Sequence, residues 1–427
     1  MDFNLGLVLS AILLLILASH VGGHLARKLR QPSVIGEILG GLCLGPTLFG
    51  FFAPESQAAI FTANPSVATC LSLLYNFGLL LLMFLSGLEI ERIGEDRAQL
   101  KSASIMAVTG TLIPMGIALL ALPWIPLDAY MGPAQSRTAL VLVFATAMAV
   151  TSLPVISKIF LDLGVMNTRF AKVVLSSSLL DDFLHYVLLA VALNAAGDAG
   201  SRPDWLNRFF EGKSLVTVTV VECGIHFAFV VSCMTWLQHF YRLFKPVLGF
   251  LKQTSPVALL LVILVSVSLF GLAFGVPPVL SAFAAGLLAT RITEFSAEDR
   301  RNLAAFSSSF FIPIFFAMVG LKLNLIRDFD PIFFVVFLLA ATGIKMLSVW
   351  VGARLSGVRN KTAVDLAVTM NARGGPGIVL ASAALEGGIV NAKLYVSLVL
   401  LALVTSGLAG AWLESSLQKG RLNPNEI

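Results

Sequence analysis

Two carboxylates stand side by side, Asp181 and Asp182, in the apolar run SSSLLDDFLHYVLL (176–189). Two bases sit in similar company, Lys345 in ATGIKMLSVW and Arg373 in VTMNARGGPGIVLAS. An ionised Asp at the centre of a bilayer costs about 2.5–3.5 kcal/mol even on the mild insertion scale, so charges in such runs are kept for a purpose. Two acids against two bases make an approximately neutral interior. Burial and a like-charged neighbour both oppose ionisation, so groups of this kind can trade a proton for a metal ion. Alkali cations take hard oxygen ligands, which carboxylates, hydroxyls and carbonyls supply. The plainer reading of Lys345 is a structural ion pair with one of the acids. Adjacent helical residues point about 100° apart, so one carboxylate can face the lysine while the other faces water.

These charges must be carried by membrane helices. The chain has 427 residues, 57% of them hydrophobic and 12% charged, with a mean hydropathy of +0.89. Soluble domains are nearer ~45–50% apolar and ~25% charged. Thirteen apolar segments follow one another, at 4–26, 33–52, 69–89, 103–124, 138–163, 170–196, 214–240, 256–274, 277–292, 305–324, 332–354, 362–387 and 393–415. The sixth holds Asp181 and Asp182 near its middle and the eleventh holds Lys345 near its own, so all three belong at similar depth. Thirteen is odd, and the termini are therefore expected on opposite sides. Counted over loops and flanking span ends, Lys and Arg number 20 on one side and 7 on the other. The positive-inside rule then puts the N-terminus outside and the C-terminus in the cytoplasm. The net charge of +5 reflects those inner loops and does not point to nucleic acid.

The same text excludes other classes. Positive charge follows the first apolar run instead of preceding it, so that run reads as a first span and not a cleaved signal. Cys43, Cys70, Cys223 and Cys233 lie in apolar segments without paired spacing and are expected to be small buried hydrophobes. No nucleophile–base pair, phosphate loop or metal-ligand cluster marks an enzyme, and no cofactor is implied. The whole of 1–427 reads as one membrane transport domain, without room after the last span for a soluble regulatory domain.

Internal repeats organise the segments. QPSVIGEILGGL (31–42) aligns without gaps on VPPVLSAFAAGL (276–287), FLSGLEI (84–90) on AMVGLKL (317–323), and MAVTSLPVI (148–156) on MNARGGPGI (370–378). The order is kept. This predicts a first repeat over 4–196, a linker helix over 214–240 and a second repeat, inverted, over 256–415. Inverted repeats around a midplane site are an architecture of secondary transporters.

Pro154 and Pro376 fall on equivalent repeat positions, in the fifth and twelfth segments. Pro inside a helix removes a hydrogen bond, so each segment is either kinked or broken into half-helices whose ends face a cavity. Arg373 stands at one break, where it can compensate carbonyl ends. Thr151 and Ser152 stand at the other, where their hydroxyls can satisfy freed backbone groups or coordinate a cation. His185 shares a helix face with the aspartates and reads as a packing residue or a pH-modulating neighbour. Glu37 reads as a pathway residue or as a cap on a small-residue interface beside Gly40 and Gly41. Glu222 and His226, spaced i, i+4, read as a hydrogen-bonded pair in the linker helix.

Several of these stretches, RQPSVIGEILGGLCLGP (30–46), MFLSGLEIE (83–91), TSLPV (151–155), LLDDFL (179–184), FFIPIFFAMVGL (310–321) and GIKML (343–347), resemble the monovalent cation:proton antiporter-2 family, with Kef- and Nap-type transporters as relatives. The resemblance implies an all-α sodium/proton antiporter-like fold of about thirteen helices, with two crossing broken helices, a core and a dimerisation domain, and an elevator-like movement. Carried over, Asp182 would bind the alkali cation or protons in alternation, with no other metal. Asp181 would pair with Lys345, and Thr151 and Ser152 would lie beside the ion. The double Asp with its lysine is similar to electrogenic members. One departure stands out: where many relatives carry Pro-Arg-Gly-Glu, this chain has Ala372-Arg373-Gly374-Gly375.

The expectation is a homodimeric antiporter of a bacterial-type inner membrane, exchanging Na⁺ or K⁺ for protons. A cation-coupled symporter of an organic solute on the same fold, or a non-transporting membrane sensor, are the alternatives. The symporter needs more polar residues near the breaks than the sequence offers. The sensor could dispense with one of the charges.

Overall fold

The computed structural model describes residues 4–29, 31–88, 97–166, 168–196, 203–211, 213, 215–235, 249–292 and 295–421, and among them every regular element is a helix. Arg30, residues 89–91 and the 236–240 end of the seventh apolar segment lie outside the described residues, as do the Pro154 and Cys223 side chains. The helices are α1 (Leu5–Lys28), α2 (Ser33–Leu44), α3 (Phe49–Phe52), α4 (Pro54–Phe61), α5 (Pro65–Leu88), α6 (Arg97–Ala121), α7 (Arg137–Ala149), α8 (Leu153–Asp162), α9 (Arg169–Ala195) and α10 (Asp204–Phe210). There follow α11 (Leu215–Thr235), α12 (Pro256–Ala273), α13 (Pro278–Arg291), α14 (Ala297–Phe306), α15 (Ile312–Leu321), α16 (Leu325–Asp328), α17 (Pro331–Leu355), α18 (Asn360–Thr369), α19 (Gly374–Glu386) and α20 (Ala392–Gln418). A π-helical turn, Ser307–Phe311, joins α14 to α15. Among the described residues nine helices are long and apolar enough to cross a membrane, and shorter helices occupy the remaining apolar segments.

Local sequence sets where these helices start. Ser136, Thr168, Asp330 and Asn391 each accept a hydrogen bond from the backbone N–H three residues on, capping α7, α9, α17 and α20. Each cap satisfies an end that lipid cannot. The prolines of the two broken segments do not kink a continuous helix. Pro154 and Pro376 lie in the first turns of α8 and α19, where the missing N–H has no intrahelical partner to lose. The chain between the half-helices is extended at Val150, and Gly374 has a positive φ of 20°.

Two compact units are distinguished: Met1–Ile12, Pro65–Arg92 and Gly197–Phe315 form one, and Leu13–Asn64, Ile93–Ala196 and Phe316–Ile427 the other. Each therefore draws on both halves of the chain and neither coincides with a sequence repeat. In the first unit α5 crosses α13 with Gly87 against the Phe283 carbonyl and Gly286 against the Phe84 carbonyl. In the second, α2 crosses α15 with Gly41 against the Ala317 carbonyl and Gly320 against the Ile38 carbonyl. Small residues let membrane helices approach at backbone distance, where packing and not hydrophobicity holds them.

In the second unit the connections at one end are tied together. Thr47 donates to the Leu323 carbonyl at 2.7 Å, Tyr130 to Asp330 at 3.3 Å, and the Gly132 and Ala134 N–H groups to Ile389 and Gly388. Burial and the Asp330 carboxylate push the Tyr130 phenol up to about 12, so it remains a donor. Arg27, Gln31, Leu163 and Glu414, from the opposite ends of these helices, line a cavity of about 360 Å³. α9 is the most enclosed of the long helices, with 72% of its apolar window buried, whereas α1 has 22% and presents its remainder outward.

The cysteine expectation needs one correction. Cys233 is buried, but Cys43 is exposed and Cys70 intermediate, all three unbonded. An apolar segment whose outer face meets lipid has no need to bury every small hydrophobe.

A side chain at Gly41 would enter the Ala317 carbonyl. Gly41→Val is expected to cost about 1–3 kcal/mol, read as a lowered Tm in detergent. Gly116→Ala, where an added Cβ meets nothing within 4 Å, should not lower it.

Candidate functional site

Asp181, Asp182, Lys345 and Arg373 all lie inside the second unit, where the two pairs of half-helices come together. Asp182 is the central residue of α9, and both Asp181 and Asp182 are buried, at 1% and 0% exposure. Lys345 of α17 is equally buried and reaches the Asp181 Oδ2 at 3.0 Å. Its two remaining N–H groups go to the carbonyls of Gly110 on α6, at 3.0 Å, and Ala149 at the end of α7, at 2.5 Å. All three ammonium donors are thus used.

Asp181 is saturated in turn. Thr111 of α6 donates to Oδ1 at 2.6 Å, and Thr151 in the α7–α8 break lies 2.8 Å from Oδ2. Thr151 also lies 3.0 Å from the Met370 carbonyl at the end of α18. A hydroxyl has one proton, so Thr151 serves one of these acceptors at a time. The breaks touch through the backbone as well, with the Ser152 N–H donating to the Ala372 carbonyl at 2.7 Å. Half-helix ends therefore satisfy one another at a depth where water is scarce.

Arg373 occupies the other break. Its Nε donates to the Ala147 carbonyl at 3.2 Å, and its Nη2 to Met148 at 3.2 Å and Ala341 at 2.8 Å. Its Nη1 donates to the Asn371 carbonyl and to Oδ1, the latter at 2.6 Å. The last carbonyls of α7, those of Ala147, Met148 and Ala149, are consequently held by Arg373 and Lys345. Cations at a helix C-terminus oppose its negative pole. Gly375 is buried, yet an added Cβ there would meet nothing within 4 Å. Space for a side chain remains at Gly375, and Arg373 is satisfied by neutral oxygens.

Asp182 acts electrostatically on both Lys345 and Tyr186. Ser178 lies one turn before it on α9, buried, with no hydrogen-bond partner for its hydroxyl among the described residues. Ser152 is at the break, but its hydroxyl accepts from the Val155 N–H at 3.4 Å and so opens α8. The Nδ1 of His185 lies 2.5 Å from the backbone carbonyl of Asp181, within its own helix. Glu37 is half-buried on α2 against Gly23 of α1. Among the described residues no cluster of three or more His, Cys, Asp or Glu is placed to hold a metal ion.

Thr111 was not among the residues singled out in the sequence. It carries no charge, and hydroxyls in apolar helices commonly bond their own backbone. Only Pro114, three residues on in the same helix, marked the stretch as unusual.

The family model described as "Sodium/hydrogen exchanger, transmembrane" matches residues 11–419. The chain belongs to that family. It is 28% identical over 390 residues to K(+)/H(+) antiporter 1 of Saccharomyces cerevisiae, covering 88% of this chain but only 42% of the yeast protein. It is 28% identical over 413 residues to Na(+)/H(+) antiporter NhaS4 of Synechocystis, covering 95% of this chain and 96% of that one. In fold the chain is similar to the sodium proton antiporter MjNhaP1 of Methanocaldococcus jannaschii, with a TM-score of 0.60 at 15% identity over 99% of this chain and 100% of that one.

Lys345→Met leaves Asp181 as an uncompensated buried charge and strands two carbonyls. The expected cost is about 3–5 kcal/mol, measured as Tm in detergent. Adding Asp181→Asn should recover part of it.

Proposed function

We propose that this exchanger couples Na⁺ or K⁺ to protons by alternating access at Asp182, with Asp181 and Lys345 as its charge-balancing neighbours. The observation that carries the reading is the pair of adjacent buried carboxylates at two meeting half-helix breaks, one already neutralised by a lysine. Asp181 is matched to Lys345, and Asp182 is the carboxylate that meets the substrate ion. A cation or a proton can occupy it, and not both, which makes the exchange obligatory. Thr151, whose hydroxyl reaches Asp181 with lone pairs to spare, and Ser178, one turn before Asp182, are candidate oxygens for a cation's remaining ligands. Ser152 supports the break rather than the ion. Arg373 keeps the α7 end neutral throughout, and His185 and Glu37 have modulating roles at most.

Relatives named for Na⁺/H⁺ and K⁺/H⁺ exchange support the cation class. The two glycine crossings support the inverted repeats at 4–196 and 256–415 joined by 214–240. Residues 38 and 41 align on 283 and 286, and 84 and 87 on 317 and 320, so each crossing is the other with the repeats exchanged. The reading includes a homodimer in a bacterial-type inner membrane, an elevator-like movement and net charge transfer. Its N-terminus lies outside. A fluorescent protein fused at the C-terminus should then fluoresce, and alkaline phosphatase there should stay inactive; the reverse pattern overturns the orientation.

Purified protein in liposomes with a lumenal pH dye and an imposed proton gradient tests the exchange itself. Na⁺ or K⁺ should trigger alkalinisation in the wild type, and Asp182→Asn should abolish it. Persistence of the signal in that variant would falsify the assignment of Asp182.

A further inference from the structure

Lys345 is held by two backbone carbonyls as well as by Asp181, and each carbonyl is available for a reason written in the chain. Pro114 lies inside α6, which continues unbroken from Arg97 to Ala121. Proline has no N–H, so the carbonyl four residues earlier, that of Gly110, loses its helical donor. That carbonyl receives Lys345 Nζ at 3.0 Å. The second acceptor, the Ala149 carbonyl, belongs to the last turn of α7, where the helix has stopped supplying donors. The approach is close. A Cβ at Gly110 would come within 3.1 Å of the Val349 side chain and 3.4 Å of Nζ.

We infer that Gly110 and Pro114 are positioning residues for proton handling at Lys345: they hold a fixed backbone acceptor against Nζ, so that the N–H directed at Asp181 is the one proton the lysine gives up. The inference rests on the exchange reading above and deepens it. As an ammonium, Nζ donates to Gly110, Ala149 and Asp181. As a neutral amine it keeps the two carbonyl bonds, and its lone pair replaces the third N–H. In that step the N–H bond to the Asp181 side breaks with its electron pair left on nitrogen. The proton leaves on that side to a water molecule, which becomes hydronium, when the site opens. Without the carbonyl pair the amine would turn freely, and any of its protons could leave in any direction. The charged groups acting on Lys345 are Asp181 and Asp182 from α9 and Arg373 from the α18–α19 break, with His185 close enough to feel its charge. At Nζ, α6 and α7 contribute carbonyl oxygens.

Pro114→Ala tests this directly, because residue 114 then acquires an N–H that claims the Gly110 carbonyl. Alanine is the better helix former, so the helix is retained. Pro114→Gly adds the same N–H while leaving the helix free to bend, which separates the donor from a change of helix shape. With one acceptor shared, the ammonium is less well held, and both variants should give up the proton at lower pH. In proteoliposomes the pH of half-maximal cation-driven proton movement should move toward acid by about one unit. The apparent affinity for the cation at each optimum should stay within about twofold, since no ligand oxygen is touched, and Gly116→Ala should overlay the wild type. A second readout needs no transport: the pH at which Tm in detergent responds to the deprotonation of Lys345 should move the same way in both variants. If both variants overlay the wild type in the two profiles, the inference is wrong. If the wild type moves no protons with either cation, the exchange reading fails, and the Tm profile alone then decides whether Pro114 governs Lys345.

Discussion

Taking an ion pair out of water is the constraint on which the second unit depends. The desolvation of Asp181 and Lys345 exceeds what their mutual attraction returns unless further hydrogen bonds complete both groups. Completion is what the neighbouring helices supply. Thr111 and Thr151 reach the carboxylate, and the Gly110 and Ala149 carbonyls reach the ammonium. Arg373 meets the same demand with neutral acceptors alone, from Ala147, Met148, Asn371 and Ala341. The interrupted helices and the buried cations are therefore one device. Each break exposes carbonyls that lipid cannot satisfy, and each cation needs acceptors that water cannot bring.

The arrangement makes two adjacent, chemically identical residues unequal. Asp181 is tied to α6, the α7–α8 break and α17, and any motion of it disturbs three elements. Asp182, one residue on and about 100° around the helix, acts on the same lysine through its charge.

The glycine crossings do comparable work for the scaffold. Where Gly41 and Gly320 pass Ala317 and Ile38, and Gly87 and Gly286 pass Phe283 and Phe84, backbones meet without side chains between them. Such contacts allow helices from distant parts of the sequence to share one unit, since packing alone has to hold them in an apolar solvent. This is why each unit mixes segments from both halves of the chain, against the simple expectation that a repeat is a folding body.

The sequence by itself determined what a solvent of lipid makes one-dimensional. Apolar length sets a span, so the thirteen segments, their alternation and the depth of Asp181, Asp182 and Lys345 along their helices can be counted from residue numbers. Pro154 and Pro376 marked where helices are interrupted, by a kink or a break, because a missing N–H is a local property. Rotation and partnership were decided only by the tertiary structure. Which carboxylate meets Lys345, that Thr111 completes it, that Ser152 starts a helix while Thr151 turns to Asp181, and that Arg373 is satisfied by carbonyls all depend on how helices distant in sequence are turned against one another. Those angles arise from many weak packing contacts summed across neighbours, and no single residue carries them.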